Sequence, residues 1–214
     1  DTLFVLDDGF QHRAIRRDVD IICLPARLDA LKLLPEGPLR EPLHSLTRAH
    51  VACIITAPEE DPAHVALSKR LLQSRYPTIA IFHLVQRASA WVDAWTGKSA
   101  QEIPDGAPVL VTGIARPQRF VAMVRQKGIS PQEVVHYPDH HAFDADQITR
   151  LTNHGQRVLL TTEKDAQRLT TLTLVPRPAI WYLRIEIAFR PESDRHRFLD
   201  LLTERLAGKP AKNS

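Results

Sequence analysis

Two adjacent carboxylates follow a short apolar run at the start of the chain. Residues 3–6, Leu-Phe-Val-Leu, lead directly into Asp7 and Asp8. If the run is a buried strand of an open α/β sheet, both acids lie at its carboxyl end, where such sheets bind ligands. Carboxylate oxygens there can hold Mg²⁺ beside a phosphate, and a dication relieves their mutual repulsion. A solvated pair of acids at the start of a loop is the alternative.

An apolar strand followed by Asp is typical of the Walker B element of phosphate-binding-loop enzymes. The matching Walker A loop has the pattern G-x-x-x-x-G-K-[ST]. Gly97, Lys98 and Ser99 supply only its end, because Val92 stands where the first glycine is required. We therefore interpret this segment as a hairpin turn. A phosphate-binding loop that served the two acids would lie upstream of residue 1.

Two further segments carry charged side chains that suit phosphate chemistry. Residues 33–42, LLPEGPLREP, form a proline-rich loop that presents Arg40 and Glu41. An arginine on a rigid loop can bind a phosphate group bidentately, although a surface ion pair is equally open. Residues 12–17, HRAIRR, are either an anion-binding patch beside the acid pair or a solvated segment.

Residues 137–143, YPDHHAF, place Asp139, His140 and His141 between a predicted strand and a predicted helix. These side chains could be metal ligands or a proton-transfer group, or simply surface residues. Residues 161–169, TTEKDAQRL, read as a helix start in which the threonine and the acids serve as caps.

Composition excludes several classes of protein. The 214 residues are 43% hydrophobic and 25% charged, with a net charge of +3 and a pI near 9.0, which fits a globular protein with an anionic partner. No basic block is interleaved with aromatic residues, so we expect no nucleic-acid partner. No run approaches the ~18 apolar residues of a membrane span. We expect Cys23 and Cys53 to be buried, reduced thiols. Because residue 1 is Asp, we also expect an N-terminal part to be missing.

The apolar runs do not alternate with polar residues, which favours parallel strands covered on both faces. The predicted fold class is α/β, with a partial parallel-sheet core and a second, smaller α/β domain joined by a β-ribbon. The expected domains are residues 1–84 with a helix at 190–208 packing back, the ribbon at 85–104, and residues 105–189. The predicted strands are 3–6, 19–24, 51–56, 78–84, 109–112, 133–137, 158–161 and 179–185, and the predicted helices are 63–75, 117–128, 144–155, 162–169 and 193–207.

Five segments taken in order resemble tetraacyldisaccharide 4'-kinase, the lipid A kinase of Gram-negative bacteria. They are LDDGFQH with the following RRD, LLPEGPLREP, VTGIARPQRF, YPDHHAF and TTEKDAQRL. The resemblance implies a phosphate-binding-loop kinase fold with ATP and Mg²⁺ as cofactors. It also implies transfer of the γ-phosphate of ATP to the 4'-hydroxyl of tetraacyldisaccharide 1-phosphate.

The resemblance implies roles for the first motif. Asp7 and Asp8 match the acidic pair of the family that holds Mg²⁺, directly or through water, and Asp8 is also expected to be catalytic. Gln11 and His12 are expected close to the nucleotide and the acceptor.

It implies roles for five later residues as well. Arg40 would counter charge on the phosphates and Glu41 would lie beside it, both contacting substrate. His140 would accept or relay the proton of the acceptor hydroxyl. Arg116 and Asp139 are expected to bind substrate.

The resemblance also implies a lipid A precursor as partner and a cytoplasmic protein, peripheral on the inner face of the inner membrane. We expect a monomer. Because the Walker A loop is absent, we expect these 214 residues alone not to turn over ATP. The alternatives are a metal-dependent hydrolase with Asp7, Asp8, Asp139 and His140 as ligands, or a non-catalytic nucleotide- or lipid-binding module.

Overall fold

The computed structural model describes residues 2–28, 31–139 and 141–207. The chain divides into two compact units. Unit 1 comprises Asp1–Gln86 and Ile187–Ser214, and unit 2 comprises Arg87–Glu186. Both combine helices with a mainly parallel sheet, so the predicted α/β class is confirmed.

Unit 1 contains the parallel strands β1, β2 and β3 in that spatial order, with the end of β8 beside β3. Ile21 of β1 lies opposite Val51 of β2, which lies opposite Ala80 of β3. The elements of unit 1 are β1 (Ile21–Pro25), a 3-10 helix (Leu43–Arg48), β2 (Val51–Thr56), α1 (Pro62–Arg75), the first part of β3 (Ala80–Asp93), the end of β8 (Ile180–Phe189) and α5 (Asp194–Ala207).

The central strand of unit 1, β2, is buried on both faces. Ala52 and Ile54 pack on one face in a cluster that includes Leu72. Val51 and Cys53 pack on the other face in a cluster that includes Phe82. Coverage of both faces explains why this run has no polar alternation. The predicted strand at 51–56 is confirmed residue for residue.

Unit 2 arranges its strands in the order β3, β8, β7, β5 and β6. All four residues of β5 and all four of β7 are buried. The elements of unit 2 are the end of β3, β4 (Ser99–Ala100), β5 (Val109–Thr112), α2 (Pro117–Gln126), β6 (Glu133–His136), α3 (Ala145–Leu151), β7 (Leu159–Thr162), α4 (Glu163–Leu169) and the start of β8.

Local sequence signals in unit 2 behave as predicted. The Asp144 carboxylate accepts a hydrogen bond from the Gln147 amide at 2.8 Å and caps α3. The GKS segment is a hairpin turn, in which Gly97 has φ +71 and β4 pairs antiparallel with the end of β3. The left-handed conformation explains the glycine, because residues with a Cβ rarely adopt it.

The prediction of a buried strand at residues 3–6 was wrong. These four residues have no regular secondary structure and are between 48% and 88% exposed. A strand needs a hydrogen-bonded neighbour, and no strand within the described ranges pairs with this run. Among the described residues, β1 lies at the edge of the sheet of unit 1.

The prediction that both cysteines are buried was wrong for Cys23, which is exposed, and is confirmed for Cys53. Ile22 and Leu24 face the core, but Ile21 and Cys23 lie on the uncovered face of β1. In α5, Leu199 and Leu206 are 45% and 41% exposed. Phe198 and Leu201 of this helix contact the core.

Candidate functional site

The acid pair lies in a turn at the start of a segment that we call the acidic loop, residues 7–12. Asp8 has φ +51, a left-handed conformation that Asp and Asn tolerate better than other non-glycine residues. Gly9 is buried, and a Cβ at this position would lie 2.5 Å from the Leu6 side chain. The side chains of Asp7 and Asp8 both project into solvent.

The Arg40 guanidinium contacts the acid pair directly. Its Nη1 donates to Oδ2 of Asp8 at 2.5 Å. Both side chains are more than half exposed, and an ion pair of this kind contributes only about 0–1 kcal/mol to stability. The importance of the contact is therefore geometric, because it gathers a carboxylate and a guanidinium at one exposed point.

The loop that carries Arg40 is closed by its own backbone. Leu34 donates to the carbonyl of Leu39 at 2.9 Å, and Leu39 donates to that of Lys32 at 3.0 Å. A Cβ on Gly37 would lie 2.5 Å from the Lys32 carbonyl oxygen, so this turn requires glycine. The loop is a compact platform with Arg40 at its end.

The Glu41 carboxylate binds Arg48. The Nη2 of Arg48 donates to Oε2 of Glu41 at 2.8 Å. Hydrogen bonds from Arg48 and then from Ser45 hold the pKa of Glu41 below its ordinary value of 4.5. Arg48 also lies over the Phe10 ring, 4.4 Å from its centroid, and donates to the Phe10 carbonyl at 3.4 Å. Sequence reasoning missed Arg48, which ends the 3-10 helix without any motif around it.

Arg17 holds the acidic loop from another direction. Its Nε pairs with Oδ1 of Asp20 at 2.6 Å, and its Nη1 donates to the Gly9 carbonyl at 3.2 Å and to the His12 carbonyl. This side chain is therefore turned toward the protein, and the expected anion patch at 12–17 keeps only Arg13 and Arg16 as exposed arginines. The side chains of Gln11 and His12 are exposed on the loop.

In unit 2, the predicted site residues lie at the ends of strands and helices. Arg116 is exposed at the N-cap of α2. Asp139 is exposed and lies 3.3 Å from the Lys164 ammonium. His140 lies outside the described residues. Its neighbour His141 stacks on the Tyr137 ring with a centroid distance of 4.3 Å.

A buried ion pair joins three of the motifs in unit 2. Asp165 is fully buried and accepts from the Gly113 amide at 2.9 Å and from the Thr162 hydroxyl at 2.8 Å. Arg168 pairs with Asp165 and donates to the carbonyls of Gly113 at 3.2 Å and His141 at 3.0 Å. Sequence reasoning recognised only the helix cap in this segment. The Thr-x-x-Asp spacing was the available signal, since the capping threonine also bonds the buried acid.

The residues of the acidic loop fit a magnesium ion. Mg²⁺ prefers carboxylate oxygens, retains several waters and binds through one or two carboxylates together with phosphate oxygens. Asp7 and Asp8 supply such oxygens at an exposed turn. Across the described ranges, no group of three or more His, Cys, Asp or Glu side chains could hold a metal ion. Two carboxylates suit a metal that takes its remaining ligands from phosphate and water.

In the described part of the chain, no helix has the length and apolar character to cross a membrane.

Comparison with known proteins shows that the chain is similar in sequence to a family of kinases. The sequence model of a family described as "Tetraacyldisaccharide-1-P 4'-kinase" matches residues 2–206. The chain is 34% identical over 187 residues to a tetraacyldisaccharide 4'-kinase of Halorhodospira halophila, covering 86% of this chain and 49% of the relative. It is 32% identical over 205 residues to one of Rhodopseudomonas palustris, covering 92% and 56%. The chain thus spans about half the length of the curated relatives it matches.

A crystal structure of LpxK from Aquifex aeolicus in complex with ATP has a similar fold. The TM-score is 0.65 at 22% sequence identity, over 93% of this chain and 56% of that chain. At this identity the likeness shows a shared fold and no more.

Proposed function

Since the chain belongs to the tetraacyldisaccharide-1-P 4'-kinase family, we propose that the protein transfers the γ-phosphate of ATP to the 4'-hydroxyl of tetraacyldisaccharide 1-phosphate. The observation that best supports this proposal is the contact of 2.5 Å between Arg40 and Asp8. It brings a carboxylate that we assign to Mg²⁺ next to a guanidinium that we assign to phosphate, at one exposed point.

Phosphoryl transfer needs positioning and charge neutralisation more than covalent participation of the protein. Asp7 and Asp8 would hold Mg²⁺, which supplies positive charge to the phosphate oxygens. Arg40 is free to pivot from Asp8 to a phosphate, because both partners are largely exposed. A guanidinium binds phosphate oxygens bidentately, so Arg40 adds orientation as well as charge.

The exposed side chains of Gln11 and His12 extend the same surface, and we assign them to the nucleotide and the acceptor. We also propose that Glu41 contacts the substrate beside Arg40, while its carboxylate binds Arg48. This pairing anchors the residue next to Arg40.

For unit 2 we propose that Arg116 and Asp139 contact the acceptor and that His140 takes the proton of its hydroxyl. Family membership supports the role of His140, which lies outside the described residues. Arg116 and Asp139 are exposed, as a substrate contact requires.

The acceptor carries four acyl chains, so the enzyme must meet it at a lipid surface. We propose a cytoplasmic protein that is peripheral on the inner face of the inner membrane and acts as a monomer. The sequence contains no G-x-x-x-x-G-K-[ST] loop, and we therefore expect residues 1–214 by themselves to lack ATP turnover.

The proposal is tested by transfer of labelled γ-phosphate from ATP to tetraacyldisaccharide 1-phosphate in mixed micelles. We expect a product labelled at the 4'-position with the complete protein and none with residues 1–214. Labelled product from neither preparation, with an active relative run in parallel, would refute the proposed activity.

A further inference from the structure

Two arginines outside the expected catalytic set donate hydrogen bonds to the backbone of the acidic loop. Arg17 donates to the carbonyls of Gly9 and His12, and Arg48 donates to the carbonyl of Phe10. Three of the six residues in this loop are thus bound through their main chain. The guanidinium of Arg48 also covers the Phe10 ring, which packs against the core of unit 1.

Each arginine is in turn fixed by a carboxylate. Arg17 pairs with Asp20 at 2.6 Å, and both side chains are less than one-fifth exposed. Asp20 is tied to the sheet, because its carbonyl accepts from the His50 and Val51 amides at 2.9 and 3.2 Å. Arg17 therefore connects the acidic loop to the start of β2.

Arg48 connects the acidic loop to the loop of Arg40. Its partner Glu41 follows Arg40 directly in the chain, and the two side chains of the pair are about one-quarter exposed. One guanidinium thus touches the acidic loop at Phe10 and the neighbour of Arg40 at the same time. Arg48 thus links the two loops that carry Asp8 and Arg40.

The acidic loop needs such support, because it has no regular secondary structure and its acids are exposed. The left-handed conformation of Asp8 adds strain that surrounding contacts must maintain. Displacement of a catalytic group by about 1 Å can cost on the order of 10²-fold in rate. Arginines that fix the carbonyls of this loop therefore fix the reacting geometry.

We propose that Arg17 and Arg48 are positioning residues that set the geometry of the magnesium site at Asp7 and Asp8. The proposal rests on the proposed kinase function. Both arginines act through the backbone of residues 9–12, whose carbonyls they bind. Partners that orient metal ligands in this way typically alter metal affinity by about 10- to 100-fold.

The test uses Arg17→Lys and Arg48→Lys in the complete protein, since lysine keeps the charge and loses the planar fork. Mn²⁺ replaces Mg²⁺ as a probe, and its binding in the presence of ATP is followed by electron paramagnetic resonance. We expect both variants to weaken Mn²⁺ binding about 10-fold. The Mg²⁺ concentration for half-maximal activity should rise by a similar factor.

Arg157→Lys is the matched control. Arg157 is another half-buried arginine, which binds the Glu133 carboxylate at 2.7 Å and the Leu151 carbonyl at 3.2 Å in unit 2. We expect it to leave Mn²⁺ binding unchanged. Thermal unfolding reports whether each variant is folded. If Arg48→Lys fails to fold, Glu41→Gln loosens the same arginine and should weaken Mn²⁺ binding in the same direction.

Loss of kcat with unchanged Mn²⁺ binding and unchanged Mg²⁺ dependence would overturn the inference, because residues that set the geometry of the metal site must change its affinity for metal. Equal metal affinity in all variants would also overturn it. A wild-type protein that binds Mn²⁺ with ATP but transfers no phosphate would refute the kinase proposal instead. The Mn²⁺ titrations would still decide the role of the two arginines.

Discussion

Nη1 of Arg40 and Oδ2 of Asp8 lie 2.5 Å apart, although 32 residues separate them in the sequence. The two loops that carry them are both irregular, and both are fixed by contacts of their own backbone. The pair thus joins the two motifs on which the proposed chemistry depends.

Removal of the guanidinium tests that chemistry. Arg40→Ala should lower kcat by about 10²- to 10³-fold, as the loss of one preorganised donor to a developing charge does. The thermal midpoint should scarcely move, because the ion pair is exposed. Steady-state kinetics with ATP and acceptor measure the effect. Arg75→Ala, at an exposed arginine of α1, should retain activity, and equal losses in both variants would show that only net charge matters.

The buried ion pair of unit 2 predicts a large effect on stability. Asp165→Asn leaves Arg168 without its carboxylate and should cost about 3–5 kcal/mol in the free energy of unfolding. Chemical denaturation measures this cost. Asp144→Asn is the control, because asparagine caps a helix as well as aspartate does, and it should change stability little. Similar values for the two variants would contradict a structural role for Asp165.

His83 predicts a dependence of stability on pH. Its ring shares a hydrogen bond of 2.9 Å with the Thr56 hydroxyl, and burial, followed by the charges of Lys69 and Arg190, lowers its pKa from 6.5. The unfolded chain binds this proton more readily than the folded chain. The contribution of neutral His83 to the free energy of unfolding is therefore complete above pH 6.5 and is lost as the pH falls toward the folded pKa.

Unfolding free energies measured between pH 7.5 and about pH 5 test this sign. His83→Gln should flatten the decline on the acid side, whatever its effect on stability at neutral pH. Gln73→Ala, at an exposed residue without a titratable group, should leave the slope unchanged. A wild-type slope that survives His83→Gln would assign the dependence to other groups.

The two cysteines should differ in reactivity. Cys53 is 2% exposed, and burial, with a smaller effect of Cys23, raises its pKa to about 12. Cys23 is exposed on the edge strand, and partial burial raises its pKa as well. Residues 1–214 are treated with maleimide and analysed by mass spectrometry. We expect slow labelling of one cysteine in the folded protein and labelling of both in denaturant. Labelling of folded Cys23→Ser would show that Cys53 is accessible.

The secondary structure was predicted correctly where the residues that determine it are neighbours in the sequence. The strand at 51–56, the strand at 109–112 and the cap at Asp144 each follow from a few neighbouring residues. The run at 3–6 has the same apolar character but lacks a pairing strand in the described chain. Cys23 is exposed because β1 lies at an edge, which a single segment does not reveal.

The candidate site was predicted by residue type rather than by contact. Asp8 and Arg40 were identified separately from their motifs, whereas their contact depends on the course of the chain between them. Arg17 was considered only as part of an anion patch, and Arg48 and Arg168 were not considered as functional residues. Each of the three binds backbone carbonyls, which any sequence presents. The partner of Glu41 became visible only in the folded chain.

The central claim is that the acid pair of the acidic loop holds Mg²⁺ beside a triphosphate. It is tested most directly by measuring phosphate transfer from ATP to tetraacyldisaccharide 1-phosphate as a function of Mg²⁺ concentration, for the complete wild-type protein and for Asp8→Asn. We predict that Asp8→Asn requires at least about tenfold more Mg²⁺ for half-maximal rate and has a lower kcat at saturation. The same Mg²⁺ dependence and the same kcat in both proteins would contradict the account.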